Sequence, residues 1–270
     1  MGLQDVAVAG LDAVPLNVGF ARAALGVGGA TAWADRTEDP RAFHVAHPHG
    51  MSLVWGPDVA GAFDEVVAHL RTGRRGPEWL QVDPRWAALD WDGALGAVAD
   101  GAQEAEDAED AEDAEDTVVV RHGRVNFTFD PGAHRARWAG TTPPDGWHAR
   151  SATAADFDWP GTVVPSGFWP DAATFLANGG GAVVERDGVV GAMAFTSFRH
   201  GDDLELGIET DPALRRLGLA GAAAAAMLAR VTAAGLTPVW ACRAGNVGSY
   251  RLACSLGFVP GDPTPYWHLP

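Results

Sequence analysis

The sequence predicts an α/β protein with a mixed sheet, in which a smaller α/β lobe precedes a second α/β unit at the C-terminus. Three observations predict it. In DLELGIETDP, Leu204, Leu206 and Ile208 alternate with Glu205, Gly207 and Glu209, the period of a strand. The segment GAAAAAMLARVTAAG that follows holds only strong helix formers up to Val231, and it stops at Gly235 ahead of Pro238. Upstream, GAVVE and VVGAMAFTSF flank the turn residues RDG, which makes an antiparallel hairpin leading into that strand.

Taken in order, residues 16–25 (LNVGFARAAL) read as a short helix. Pro40 and Pro48 bracket RAFHVAH, and MSLVW follows Gly50, so two strands pair across PHG. From Asp58 to Leu70 the apolar positions Val59, Phe63, Val66, Val67 and Leu70 have helical spacing. Trp33, Trp55, Trp79, Trp86 and Trp91 are expected chiefly in the core. Residues 103–116 form a near-perfect Ala-Glu-Asp repeat, which repels itself and buries nothing larger than Ala; it is expected to be a disordered acidic loop within the lobe. After it, TVVV and VNFTF around RHGR read as a hairpin closing the lobe. TTPPDG (141–146) is the linker, which divides the chain into a lobe at 1–145 and a unit at 146–270. In the second unit Ser151 caps a short helix start, and DAATFLAN (171–178) forms another helix. Beyond the Ala-rich helix come a short strand, TPVWAC, and a helix in NVGSYRLACSLGF.

Composition excludes several classes. All 19 basic residues are Arg. Without Lys there is no Schiff-base lysine and no Walker-type phosphate loop. The net charge is −16, and nine acidic residues lie in the repeat, leaving −7 elsewhere. That balance opposes general nucleic-acid binding and is compatible with a cationic amine. No basic start with an apolar run marks a signal peptide. The long weakly apolar stretch 218–236 is Ala- and Gly-rich and contains Arg230, so a buried helix is expected there and no membrane span. Cys242 and Cys254 are too few for a disulfide framework and read as reduced thiols of a cytoplasmic protein. His44, His47 and His49 lack a nearby carboxylate or Cys, and in a strand His44 and His47 face opposite ways. No metal is expected; these imidazoles satisfy a turn or touch a substrate.

The chemistry points to RRLGLAG (215–221). A tight turn into a helix bares several main-chain N–H groups in one direction, and with the helix dipole they seat a phosphate or diphosphate. Gly218 and Ala220 are small enough for an anion to reach the main chain. Arg215-x-x-Gly218-x-Ala220 resembles the (Gln/Arg)-x-x-Gly-x-(Gly/Ala) signature of GNAT-type N-acetyltransferases. NVGSYRLACSLGF (246–258) resembles the Asn-containing helix ending in Leu-Gly-Phe of that family. Residues 147–258, with LGIETDPALRRLGLA, are similar to a branch carrying an extra N-terminal lobe; LNVGFARAAL and HPHGMSLVWG resemble it more loosely.

The resemblance implies a GNAT-like acyltransferase domain at the C-terminus behind a smaller α/β N-terminal lobe, with acetyl-CoA or another acyl-CoA as cofactor. Arg215, Arg216, Leu217, Gly218, Leu219, Ala220 and Gly221 would hold the pyrophosphate. The main chain of Ile208, Glu209 and Thr210 would run beside the pantetheine arm, and one N–H would polarise the thioester oxygen. Asn246 and Ser249 would contact the cofactor, although Asn246 fits a helix N-cap equally. Glu205 or Glu209 would act as base, with Glu205 favoured. The family's usual Tyr is replaced here by Ala253; Tyr250 lies one turn earlier, and Tyr266 and Ser249 are further hydroxyls. The implied function is direct acyl transfer from coenzyme A to the amine of a small molecule in a ternary complex. The alternatives are a non-catalytic acyl-CoA-binding regulatory module and an acyltransferase with a carrier-protein or aminoacyl-tRNA donor. No nucleic-acid or membrane partner is expected, and homodimerisation stays open.

Overall fold

The computed structural model describes residues 2–26, 30–99, 118–138 and 142–270; the acidic repeat at 103–116 lies outside them. In chain order the first elements are α1 (Leu3–Gly10), α2 (Gly19–Leu25), β1 (Trp33–Ala34), β2 (Phe43–Ala46), β3 (Met51–Trp55) and α3 (Phe63–Thr72). Next come β4 (Glu78–Val82), α4 (Trp91–Leu95), β5 (Val98–Ala99), β6 (Val120–Phe129), α5 (Pro131–Trp138) and β7 (His148–Ser151). They are followed by α6 (Ala172–Ala177), β8 (Gly181–Arg186), β9 (Val189–His200), β10 (Asp203–Thr210) and α7 (Leu219–Ala233). The last are β11 (Thr237–Arg243), α8 (Val247–Ser255), β12 (Phe258–Pro260) and β13 (Thr264–Leu269).

The chain divides into two compact units. One is Met1–Val125 with Arg243–Asn246 and Asp262–Pro270; the other is Asn126–Cys242 with Val247–Gly261. The sequence places a single division at 145/146, whereas the contacts return the C-terminal strand to the first unit. The partners of that strand, β4 and the first half of β6, lie far away in sequence, and no local pattern reveals them.

In the first unit the strands run β1-β2-β3-β4-β13-β6, with β3 and β4 parallel and the other neighbours antiparallel. The hairpin read across PHG is present as β2 and β3. The helical spacing from Val59 resolves into a 3-10 turn at Ala60–Ala62 and then α3. Val66 and Leu70, one turn apart on α3, are fully buried with Val54, Leu80, Trp91 and Trp267. Trp55 and Trp91 are core residues, while Trp33 and Trp86 pack against the core from its rim.

Two local readings need correction. The hairpin expected around RHGR does not form, since Val120–Phe129 is one continuous strand. Gly123 is a site of close packing there instead of a turn, because a Cβ would stand 3.2 Å from the Cβ of Ala244 and 3.5 Å from that of Pro263. Ser151 ends β7 instead of starting a helix, and the cap falls on Thr153, ahead of the 3-10 turn Ala154–Asp156.

The second unit orders its strands β11-β10-β9-β8-β7, with β10 and β11 parallel and the rest antiparallel. Eight consecutive residues of β9, Gly191–Phe198, are buried, as a strand covered on both faces requires. The Ala-rich helix α7 packs on β8, β9 and β10 with Ala223, Ala224, Met227 and Leu228 buried. Near its end Arg230 donates to the carbonyl of Gly181.

Arg150 ties the edge together. It donates to both carboxylate oxygens of Asp156, at 2.7 and 2.8 Å, and to Glu185 at 2.6 Å. Burial alone would raise the Asp156 pKa, but hydrogen bonds from Arg150 and Thr153 outweigh it and hold it below the ordinary 3.8. A depressed carboxylate stabilises the fold at pH above that ordinary value and loses the contribution as pH falls through its folded value. Asp156→Asn is therefore expected to cost about 1–3 kcal/mol at pH 7, read from urea midpoints, and the gap to wild type should close as pH drops below 3.8.

Candidate active site

The site begins where two parallel strands part. β10 pairs with β9 along its whole length, from Asp203 to Thr210. Its pairing with β11 covers only Asp203, Leu204 and Glu205. Beyond Glu205 the β11-facing edge of β10, which includes Ile208, Glu209 and Thr210, has left the ladder. At the same point the β9 register shifts, with Phe198 opposite Glu205 and Thr196 opposite Leu206. Ser197 is the extra residue, and its hydroxyl donates to the Glu205 carbonyl at 3.1 Å. Gly207 allows the divergence to be packed tightly; a Cβ there would meet the Phe195 ring at 2.4 Å.

The second part is the turn into α7. Pro212–Leu214 forms a 3-10 turn capped by Asp211, whose carboxylate accepts from the Ala213 N–H at 2.9 Å. Arg215 is extended, Arg216 has φ 63° and Gly218 has φ 82°. Arg216 thus sits in a left-handed conformation that costs a non-glycine residue about 1–2 kcal/mol. Gly218, as the N-cap, offers no side-chain acceptor to the first-turn N–H groups of the helix. Arg215, Arg216, Leu217 and Gly218 are exposed. Leu219 is buried, so only its main chain can serve an anion, while Ala220 is half-buried. Gly221 is packed by Trp138 of α5, whose ring would stand 2.7 Å from a Cβ there. The Trp138 indole in turn donates to the Ser255 carbonyl at 2.8 Å. Spacing offers no signal linking Trp138 to this turn, since 82 positions separate it from Gly221.

The two carboxylates differ. Glu205 is buried, at the last residue of β10 that pairs with β11. Glu209 is engaged through both oxygens: Oε2 accepts from the N–H groups of Thr162 at 3.1 Å and Val163 at 2.8 Å, and Oε1 from that of Thr210 at 3.0 Å. Gly161 lets this loop close on Glu209, because a Cβ would lie 2.8 Å from its Cγ. The Thr210 N–H, read as a cofactor contact, is thereby already used.

On α8, Ala253 is fully buried. Tyr250 is half-buried, with its ring edge-on to Phe127 at 5.5 Å. The Ser249 hydroxyl accepts from the Trp240 indole at 3.1 Å. Asn246 immediately precedes α8 and donates its own N–H to the Arg243 carbonyl at 3.0 Å. Tyr266 lies on β13, where it stacks on Trp79.

The three histidines part company. His44 bonds His69 at 3.1 Å and Glu78 at 3.0 Å, and His69 stacks on Trp33. His47 accepts from the main-chain N–H of His49 in the turn after β2. Among the described residues no group of three or more His, Cys, Asp or Glu is placed to hold a metal. Cys242 is buried and Cys254 half-buried, and no described helix is long and apolar enough to cross a membrane.

A helix that starts on an exposed glycine leaves its first main-chain N–H groups without a side-chain acceptor, and such groups favour an anion. Residues 148–266 match the model of the GNAT acetyltransferase family. The C-terminal part of the chain is thus similar to a GNAT acetyltransferase domain. Acetyl-CoA is the acyl donor of that family.

Solved structures extend the likeness of fold over the whole chain. A GCN5-related N-acetyltransferase-like protein from Streptococcus suis 89/1591 superposes with TM-score 0.69 at 19% identity, covering 98% of this chain and 97% of that one. A GNAT-family acetyltransferase from Colwellia psychrerythraea gives TM-score 0.59 at 12% identity, over 99% and 96% of the two chains. A GCN5-related N-acetyltransferase from Kribbella flavida gives 0.55 at 18% identity, over 99% and 95%. No curated protein matches the sequence.

Proposed function

We propose that the chain is an N-acyltransferase that moves an acyl group from acetyl-CoA or another acyl-CoA directly to the amine of a small molecule bound beside it. The observation that carries this reading is the parting of β10 from β11 after Glu205, next to the exposed Gly218 start of α7. Bound acetyl-CoA would supply an activated thioester. Gly218 to Gly221 would hold the diphosphate through their main-chain N–H groups, with Arg215 and Arg216 adding charge. The released edge around Ile208 would align the arm and offer an N–H to the thioester oxygen.

Glu205 is the proposed base, taking the proton of the acceptor ammonium directly or through a water. Glu209 is then a positioning residue, holding the loop at Thr162 and Val163 against the strand. Tyr250 is the proposed proton donor to the departing thiolate, in place of the residue that Ala253 lacks. The helix start and Ser249 support the cofactor side in this reading.

Titration calorimetry with acetyl-CoA, paired with thiol release over a panel of small amines, tests it. Saturable binding with amine-dependent release of free thiol is expected. Binding without release over the panel would favour a non-catalytic acyl-CoA-binding module, and absence of heat would remove both readings.

A further inference from the structure

One face of the first unit's sheet carries polar and aromatic side chains where a buried face ordinarily carries apolar ones. Leu80 and Val82 of β4 belong to the core with α3, so alternation sets Trp79 and Gln81 on the opposite face. Register places Tyr266 opposite Gln81, His122 opposite Tyr266, and Arg124 two residues further along β6 on that same face. Ring contacts agree: Trp79 stacks on Tyr266 at 5.2 Å and lies 5.4 Å from His122.

Gln81 is 1% exposed, and neither its Oε1 nor its Nε2 has a hydrogen-bond partner. A buried amide without a protein partner is stabilised by a group that accepts from its NH2, donates to its carbonyl oxygen, or does both. Two guanidiniums rest on the rings of this face. The Arg124 Cζ lies 5.2 Å from the Tyr266 ring centre, and the Arg243 Cζ lies 4.9 Å from that of Trp79. An Arg resting on a ring keeps its N–H fork at the rim, where the fork matches a flat carboxylate with two parallel bonds. Burial, and after it the charge of Arg124, lowers the His49 pKa to about 4. At neutral pH that imidazole is an uncharged hydrogen-bonding group beside the guanidinium.

We propose that this face is a binding site for a small carboxylate, its oxygens forked by Arg124 and its neighbouring amide or second carboxylate held by Gln81 over the Trp79–Tyr266 pair. The proposal concerns the first unit alone and stands apart from acyl transfer, so binding without turnover tests it.

The full chain is titrated in calorimetry and thermal-shift assays with N-acetylglycine and succinate, with succinamide as the uncharged control and inorganic phosphate as the rival anion. Saturable binding and a raised Tm are expected with both carboxylates and not with succinamide. Gln81→Leu should keep its far-UV spectrum and its unliganded Tm, and bind N-acetylglycine about tenfold more weakly, equal to about 1.4 kcal/mol. Arg124→Met, which keeps the stem over Tyr266, should lose the response to both carboxylates. The proposal is overturned if neither carboxylate binds, if succinamide binds as well as succinate, or if phosphate alone binds. An unaltered affinity in Gln81→Leu overturns it too. The wild-type panel decides the matter even where a variant fails to fold.

Discussion

Glu205→Gln is expected to lower kcat for acetyl transfer by about 10²–10⁴-fold while leaving acetyl-CoA affinity nearly unchanged. The amide has the size of the carboxylate and keeps the main-chain bond from Ser197, so the strand junction survives. What it loses is the ability to take a proton. Glu209→Gln makes the contrast. Its oxygens accept three main-chain N–H bonds, and an amide can replace at most part of that set. Loosening of the Gly161–Val163 loop should then appear as weaker cofactor binding or lower stability, with a smaller fall in kcat. Steady-state kinetics beside calorimetry separates the two. Equal turnover of Glu205→Gln and wild type would remove Glu205 as base.

Gly218→Val is expected to weaken acetyl-CoA binding by at least about tenfold, through the conformation of the turn alone. A left-handed residue costs about 1–2 kcal/mol once it carries a Cβ, and a β-branched side chain makes φ 82° harder still. The helix start would relax toward another geometry, turning the first N–H groups of α7 away from a common focus. Gly218→Asn is the control, because Asn tolerates the left-handed region. Calorimetry should show Asn near wild type and Val far from it. Should Val bind acetyl-CoA as tightly as Gly, the main chain of this turn is not the diphosphate seat.

Both predictions use residues that local sequence made visible. The turn is legible because its geometry is set within seven residues, where Gly218 and the Ala-rich run that follows dictate what the backbone can do. The alternation of β10 is legible for the same reason, and it sets Glu205 and Glu209 on one face of the strand. Their difference is not. It arises from Gly161, Thr162 and Val163, more than forty positions away, which use the oxygens of Glu209 and leave Glu205 at the strand junction.

Local pattern also misread where a glycine or a serine had two uses. Gly123 suggested a turn and is a point of close approach inside β6, a distinction made by Ala244 and Pro263. Ser151 suggested a cap and ends a strand, because its partner Ala182 lies on β8.

The amino-acid order alone determined most classes of element, the tight turn into the Ala-rich helix and its family likeness, since dihedral preference and hydrophobic period act between near neighbours. Only the folded chain decided that β13 returns to the first unit, that Trp138 packs on Gly221, and that Gln81 is buried opposite Tyr266 with no protein hydrogen-bond partner. Those are contacts between residues tens to hundreds of positions apart, and burial and hydrogen-bond satisfaction are properties of the packed molecule.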